Sequence, residues 1–335
     1  MISFLLSAIK IIFLLGFLIF IHESGHFIVA KLCKVRVNEF AIGFGPTIWK
    51  KQGKETKYAL RLIPLGGFIS MEGEEQASEE EGSFSKASIP RRIAIVAAGA
   101  IVNILFGIII YFILMTSSGT YVTNRVSKTI EGYPASEIGL QENDEIIEMN
   151  GKKVSNKHDL DKIIRKNNGE IINIKVQRNS QVLYFQITPK EYNGSYYIGV
   201  EMIKAEDTFI NRLSYASMET GDFMFSTVDN LKMLFTGKVG VAQMMGPVGI
   251  SEVVSKTSGW YEFIYILALV SLSLGVTNLL PIPALDGGKI LILIIEAIRR
   301  KPLNQEIELK IQLLGFSILI ALSLFVTYND IVRLF

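Results

Sequence analysis

The chain is poor in the residues that build disulfides and thiolate metal sites. Its 335 residues include one cysteine and three histidines. A single cysteine excludes an internal disulfide and a metal site made of several thiolates. The chain also lacks an excess of charge of either sign, since its formal net charge is only +2. Nucleic-acid binding needs a basic face, so we expect no nucleic-acid partner.

Apolar sequence is abundant instead. The mean hydropathy of +0.35 is high for a soluble protein, and a membrane-spanning helix needs about 20 apolar residues. The first apolar segment lacks the basic start of a secretory signal and is too long for one, so we expect it to be retained. We predict a multi-pass α-helical membrane protein with four transmembrane helices, near residues 1–29, 93–115, 263–280 and 311–326.

Basic residues indicate how these spans are oriented. Lysines and arginines are concentrated in the loop between spans one and two and in the loop between spans three and four. Short loops rich in these residues stay on the cytoplasmic side. We therefore expect both termini and the long segment between spans two and three to face outward.

The segment between spans one and two, residues 37–71, has β-forming sequence. VNEFAIGFGPTIWK and KYALRLIPLGGFISM are apolar and contain glycine, and the charged turn KKQGKET lies between them. This pattern predicts a β-hairpin or small sheet. Non-helical backbone at membrane depth must be covered by protein or line a cavity. Two placements stay open, a sheet that dips into the membrane from the cytoplasmic side and a hairpin on the membrane surface.

Between spans two and three, short β-like runs alternate with turns. ASEIGLQENDEIIEMNG in this region resembles the core of a PDZ domain, although Ile138 stands where alanine is usual and Asn143 where glycine is usual. We therefore expect an inserted α+β PDZ-like domain over residues 117–192. PDZ domains bind extended peptides by strand addition, so this one is expected to bind a peptide terminus or to screen substrates by size. Residues 193–262 are expected to form an amphipathic linker region.

The first span carries the sequence HESGH at residues 22–26. This is an H-E-x-x-H motif, which on a helix brings His22 and His26 to one face, where both can bind one zinc ion. Glu23 lies beside them and can reach a water on that ion. Ionisable groups inside spans are costly and usually functional. This favours a metal site over the alternative of a polar helix end at the interface.

A catalytic zinc site usually needs a third protein ligand. Span three ends in TNLLPIPALDGGKI, where Pro281 and Pro283 break the helix and two glycines after Asp286 allow a close backbone approach. Asp286 lies at the same cytoplasmic end as the histidines and is the expected ligand. Glu296 competes with it but lies almost three turns further into a helix. A helix-capping aspartate in an ordinary turn is the remaining alternative for Asp286.

HESGH in span one and NLLPIPALDGG in span three together resemble the paired motifs of the site-2 protease family of intramembrane zinc metalloproteases. IGFGP and IPLGGF resemble that family's membrane re-entrant β-loop. GPVGI before span three resembles the bacterial group that includes the regulator of sigma-E protease. The resemblance departs in two places, since this group often has two PDZ domains and since Ala100 stands where Gly-Pro is common. It divides the chain into an N-terminal membrane half, residues 1–116, and a C-terminal membrane half, residues 263–335.

The resemblance implies a zinc ion, Zn²⁺, held by His22, His26 and Asp286, with Glu23 as the general base and later the proton donor. It also implies that Asn278 hydrogen-bonds the substrate backbone. Because a substrate helix must unwind before it is cut, the β-loop is expected to receive it by strand addition. The candidate substrate-binding glycines of this loop are Gly43, Gly45, Gly66 and Gly67.

The implied location is the bacterial cytoplasmic membrane, with the active site towards the cytoplasm and the PDZ-like domain outside. The implied partners are the lipid bilayer and single-span membrane proteins, such as anti-sigma factors or remnant signal peptides, cut in regulated intramembrane proteolysis. One alternative is a non-enzymatic membrane scaffold that binds protein tails through its PDZ-like domain. Another is a zinc transporter or metal sensor, which the scarcity of polar groups in spans two and four disfavours.

Overall fold

A computed structural model describes residues 2–74, 76, 78–118, 122–192, 194–237, 245–257 and 259–334. The chain divides into a membrane unit, Met1–Leu114 with Ala216–Phe335, and an inserted unit, Met115–Tyr215. The helices are α1 (Ile2–Leu32), α2 (Ile89–Ser118), α3 (Pro134–Glu137), α4 (Lys157–Lys166), α5 (Phe209–Phe235), α6 (Pro247–Ser255), α7 (Trp260–Asn278), α8 (Asp286–Arg299) and α9 (Gln305–Leu334). The strands are β1 (Val37–Gln52), β2 (Lys57–Met71), β3 (Val122–Thr129), β4 (Glu145–Met149), β5 (Lys152–Lys153), β6 (Ile172–Arg178), β7 (Gln181–Ile187), β8 (Lys190–Tyr192), β9 (Ser195–Tyr197) and β10 (Val200–Lys204).

The described residues include four helices that are long and apolar enough to cross a bilayer, as the sequence predicts. The third ends at Asn278, slightly before its predicted end, because the prolines that follow cannot donate backbone hydrogen bonds and break the helix. The candidate spans are Ala8–Leu32, Ile89–Thr116, Trp260–Asn278 and Glu306–Arg333.

Two long antiparallel strands, β1 and β2, occupy the segment between the first two spans, where the sequence predicts strands separated by a charged turn. Their register is irregular, and Glu39 pairs with both Lys57 and Ser70. At this point β1 therefore has β2 on both of its edges. Residues 67–71 at the end of β2 consequently form an edge of this two-stranded sheet.

The inserted unit contains a sheet in the order β10-β3-β4-β6-β7, with β5 paired to β4. Its core joins apolar residues of these strands to Leu160 and Ile164 of α4. Asn143 has a φ of 69°, a left-handed conformation that asparagine adopts more readily than most residues, so it fills the position where the PDZ pattern has glycine. The neighbouring Asp144 is buried and hydrogen-bonds Arg178 at 2.6 Å, which raises the pKa of that guanidinium.

The inserted unit extends beyond residue 192, where the sequence predicts the PDZ-like domain to end. Strand β10 pairs antiparallel with β3 and so belongs to the same sheet. Its partner lies far away in the chain, and a five-residue strand has too little pattern to reveal that pairing from sequence. The compact unit therefore ends at Tyr215, inside the region expected to be a linker. The amphipathic helix expected in that region is α5.

Candidate active site

Three side chains from two helices converge in the membrane unit. His22 and His26 lie one turn apart on α1, and their Nε2 atoms are 3.2 Å apart. Asp286 is the first residue of α8, and its Oδ2 atom lies 3.2 Å from Nε2 of His22 and 3.6 Å from Nε2 of His26. The structure therefore brings together the three ligand candidates that the sequence singles out.

The spacing of these three atoms fits a zinc ion. With bonds of about 2.0–2.1 Å, the ligand atoms of a tetrahedral zinc are roughly 3.3–3.4 Å apart. The Oδ2 atom of Asp286 is buried and has no hydrogen-bond donor among the residues that the structure describes. Such an oxygen lacks the partner that a cation would supply. Two imidazoles and a carboxylate would leave the fourth zinc position open for water or substrate.

A helix break holds Asp286 beside the histidines. Gly287 packs so closely against the preceding loop that a Cβ there would lie 2.1 Å from the carbonyl oxygen of Leu280. Ala284 has a φ of 74°, and its N–H donates to Oε1 of Gln312 on α9 at 2.7 Å. The loop that carries Asp286 is thus fixed by its own glycine and by the fourth candidate span.

Glu23 lies between the metal ligands and β2. A Cβ on Gly67 would be 3.3 Å from Cγ of Glu23, and the backbone amide of Ile69 faces the Glu23 carboxylate. A cavity of about 240 Å³ adjoins Glu23 and all three ligands. A carboxylate placed next to an open metal position can accept and return a proton. The other cavity-lining residues are Phe68, Ile69, Met71, Glu74, Val96 and Lys289.

An ion pair forms part of the wall of this cavity. Lys289, one turn after Asp286 on α8, donates to Oε1 of Glu74 at 2.6 Å. Each side chain is about one-fifth exposed, at 21%. The pair joins the segment that follows β2 to the helix that carries Asp286, so it helps to hold β2 against the site.

Helix α2 supports both histidines, a contribution that the sequence analysis did not predict. Nδ1 of His26 lies 2.8 Å from the carbonyl oxygen of Ile95, and a proton on Nδ1 leaves Nε2 free for a metal. Nδ1 of His22 lies 3.3 Å from the side-chain amide of Asn103. A Cβ on Gly99 would be 2.4 Å from Nε2 of His26. The available signal was an asparagine and a glycine within the apolar second span.

The competing carboxylate, Glu296, lies outside the site. It is buried, and its Oε2 accepts a hydrogen bond from Arg92 at 3.0 Å. Its Oε1 accepts from the backbone N–H of Leu303 at 2.8 Å. Both carboxylate oxygens thus have donors, so Glu296 fixes the end of α8.

Three of the predicted substrate-binding glycines are needed by the backbone itself. Gly43, Gly45 and Gly66 have φ values of 87°, 81° and 124°, which favour glycine. A Cβ on Gly66 would also lie 2.0 Å from the ring of Phe44. These glycines shape the bends of the sheet, and their contact with a substrate stays a prediction.

The remaining predicted substrate-binding residues have different surroundings. Gly67 adjoins Glu23. Asn278 is the partly buried last residue of α7 and is not among the described residues that line the cavity. The hydrogen bond from Asn278 to a substrate stays a prediction.

The sequence profile of peptidase family M50 matches residues 10–322. The chain is 35% identical over 331 residues to a Fusobacterium nucleatum protein assigned to the zinc metalloproteases, covering 96% of this chain and 97% of that one. It is 31% identical to the zinc metalloprotease RasP of Bacillus licheniformis, covering 98% and 99% of the two chains. It is 30% identical to the regulator of sigma-W protease RasP of Bacillus subtilis, covering 99% and 100%. Membership of a metalloprotease family argues against the alternatives of a non-enzymatic scaffold and a transporter.

Proposed function

Because the chain belongs to peptidase family M50 and is a zinc metalloprotease, we propose that it is an intramembrane endopeptidase, one that cuts membrane-protein substrates within the bilayer. This proposal rests on the positions of the three metal-ligand candidates relative to the candidate spans. His22 and His26 are inside the candidate span Ala8–Leu32, and Asp286 closely follows the candidate span Trp260–Asn278. A substrate would therefore meet the site at the level of the membrane.

In this proposal His22, His26 and Asp286 hold the zinc, and Glu23 handles protons. Zinc, when bound, supplies a Lewis acid and lowers the pKa of water towards neutrality. Glu23 takes the proton of the water that attacks the peptide carbonyl and gives it to the leaving amine. The position of Glu23 beside the ligands and the cavity supports this role.

A substrate span has to be extended before it is cut, because a helix keeps each carbonyl in a backbone hydrogen bond. Residues 67–71 of β2 form a sheet edge, and several of them line the cavity next to Glu23. Such an edge can pair with an extended peptide. In this proposal Gly67 leaves space at the edge for the substrate, and the edge is shaped by Gly43, Gly45 and Gly66. Asn278 hydrogen-bonds the substrate backbone.

The proposed substrates are single-span membrane proteins of the anti-sigma-factor or remnant-signal-peptide class. The support is that one relative is named a regulator of sigma-W protease. The basic loops support a cytoplasmic-side active site in a multi-pass protein of the bacterial cytoplasmic membrane, with the inserted unit outside. That unit would screen substrates by size or bind a newly formed terminus.

The test is cleavage of a single-span substrate in liposomes that contain the purified protein and zinc. We expect Glu23→Gln to stop cleavage while zinc remains bound, because the amide cannot accept the proton. Ser24→Ala is the matched control on the same helix, since its hydroxyl bonds only the preceding turn at Phe20 in the contacts observed. Cleavage by Glu23→Gln at the wild-type rate would refute the proposed role. Cleavage of soluble peptides alone would refute the intramembrane assignment.

A further inference from the structure

Asn103 is a fully buried amide in the middle of the apolar helix α2. Its Nδ2 atom is 3.3 Å from Nδ1 of His22. Its Oδ1 atom is buried and has no hydrogen-bond partner among the described residues. An unpartnered buried oxygen is unfavourable, and in this orientation the acceptor of the amide is unused.

The same orientation conflicts with metal binding by His22. An N–H from Asn103 makes Nδ1 of His22 the acceptor, so the ring proton must then sit on Nε2. However, Nε2 is the atom that faces His26 and Asp286. A neutral imidazole binds a metal through its unprotonated nitrogen, and its other nitrogen then donates a hydrogen bond.

Rotating the Asn103 amide by half a turn removes the conflict. The rotation exchanges its oxygen and nitrogen, so Oδ1 faces Nδ1 of His22 and can accept its proton. The arrangement then matches His26, whose Nδ1 lies 2.8 Å from the carbonyl oxygen of Ile95. Both histidines would donate from Nδ1 to α2 and present Nε2 to the metal.

The backbone of α2 is well placed to fix this contact. Ser271 of α7 donates to the carbonyl oxygen of Asn103 at 2.8 Å. One turn earlier in α2, the packing is so close that a Cβ on Gly275 of α7 would be 2.8 Å from the carbonyl oxygen of Ala100. Small residues at such contacts let helices approach closely in membranes. The backbone of α2 at Asn103 is therefore held against α7, the third candidate span.

We infer that Asn103 is a positioning residue, whose Oδ1 holds the His22 proton on Nδ1 and so keeps Nε2 available to zinc. The inference rests on the proposed metal site and names a fourth side chain that the site requires. Asn103 would touch neither the metal nor the substrate. Its effect would be on zinc affinity, through the tautomer and ring orientation of His22.

Three variants of the full-length protein test this inference. Asn103→Leu has a similar size and no acceptor. Asn103→Asp keeps an acceptor oxygen and loses the donor. Ser317→Ala is the control, because its exposed hydroxyl donates within its own helix, to the carbonyl oxygen of Leu313. Zinc affinity is measured by competition with a chromophoric chelator in detergent, with thermal unfolding of the zinc-free proteins measured in parallel.

We expect Asn103→Leu to weaken zinc binding about 10–100-fold, the usual effect of losing a partner of a metal-binding histidine. Asn103→Asp and Ser317→Ala should bind zinc with about the wild-type affinity if the acceptor oxygen is what matters. Unchanged affinity in Asn103→Leu would overturn the inference, as would an equal loss in Asn103→Leu and Asn103→Asp. Wild-type zinc affinity in His22→Ala would instead refute the proposed metal site.

A second readout follows the tautomer itself. The chain has three histidines, so nitrogen NMR of ¹⁵N-histidine-labelled protein gives few signals to assign. In zinc-free wild type we expect His22 to carry its proton on Nδ1, and in Asn103→Leu we expect the proton to move mainly to Nε2 or to exchange between both nitrogens. The same His22 tautomer in both proteins would overturn the inference, whatever the enzyme activity.

Discussion

The two histidines and the aspartate of the candidate site converge on one point, but the backbone around them differs: the histidines lie within a continuous helix, and the aspartate follows a helix break. His22 and His26 lie on an unbroken helix of 31 residues, where a spacing of four positions alone brings side chains to one face. Asp286 follows a helix break, and its position depends on Gly287 and on Gln312 of another helix. Helix geometry thus builds one half of the site, and tertiary packing builds the other.

This comparison separates two ways to damage the site. Removing any ligand should have the same effect, whichever half it belongs to. Disturbing the support should matter more for Asp286, because Gly287 packs against backbone atoms of the preceding loop, which cannot rotate away. The histidine half has the regular hydrogen bonds of α1 to resist a disturbance.

The largest effect is expected from the ligands themselves. His26→Ala and Asp286→Ala should each lower cleavage of a liposome-embedded substrate to the level of the zinc-free protein, because two ligands hold zinc poorly. The measurement is the cleavage rate together with bound zinc. A much smaller loss in Asp286→Ala than in His26→Ala would show that the two halves are not equal partners.

The next largest effect is expected at Gly287. An alanine there would place its Cβ 2.1 Å from the carbonyl oxygen of Leu280. Crowding of this kind typically costs about 1–3 kcal/mol. Because relieving it moves Asp286 away from the histidines, we expect zinc affinity to fall by about 5–150-fold. Gly221→Ala is the control, since a Cβ at this helical glycine meets nothing within 4 Å. Equal zinc affinities in Gly287→Ala and Gly221→Ala would contradict the role given to the packed loop.

Gly99→Ala disturbs the histidine half in a comparable way. Its Cβ would lie 2.4 Å from Nε2 of His26 and 2.8 Å from Cε1 of His22. These are side-chain atoms that can shift, so we expect a smaller loss of zinc affinity than in Gly287→Ala, near the lower end of the overpacking range of about 1–3 kcal/mol. Chelator competition on both variants checks the order. The reverse order would mean that the continuous helix is the weaker support.

The smallest effect is expected at Gln312. Gln312→Ala removes the acceptor for the N–H of Ala284, and one hydrogen bond contributes about 0.5–1.5 kcal/mol. The cleavage rate should therefore fall less than about 10-fold. Gln312→Glu keeps an acceptor and should retain more activity than Gln312→Ala. If both variants match wild type, the fourth span does not support the loop that carries Asp286.

The sequence predicts the features that depend on local pattern. The i, i+4 histidines need only a helix, the four spans need only apolar length, and the prolines before Asp286 mark the helix break. The roles of Gly99 and Asn103 depend on which face of α2 meets α1. A glycine and an asparagine stand out in that apolar span, but the sequence does not show which neighbouring helix they face. The sequence also does not reveal where the inserted unit ends, because β10 pairs with β3, which lies far away in the chain.

The central claim is that one zinc ion is held by residues from both kinds of backbone. Its most direct measurement is the zinc content of the purified protein, compared among wild type, Asp286→Ala and Glu23→Gln. The account predicts one zinc per chain in wild type and in Glu23→Gln, and little zinc in Asp286→Ala. Full zinc content in Asp286→Ala would contradict the account, because the ion would then not need the ligand that the helix break provides.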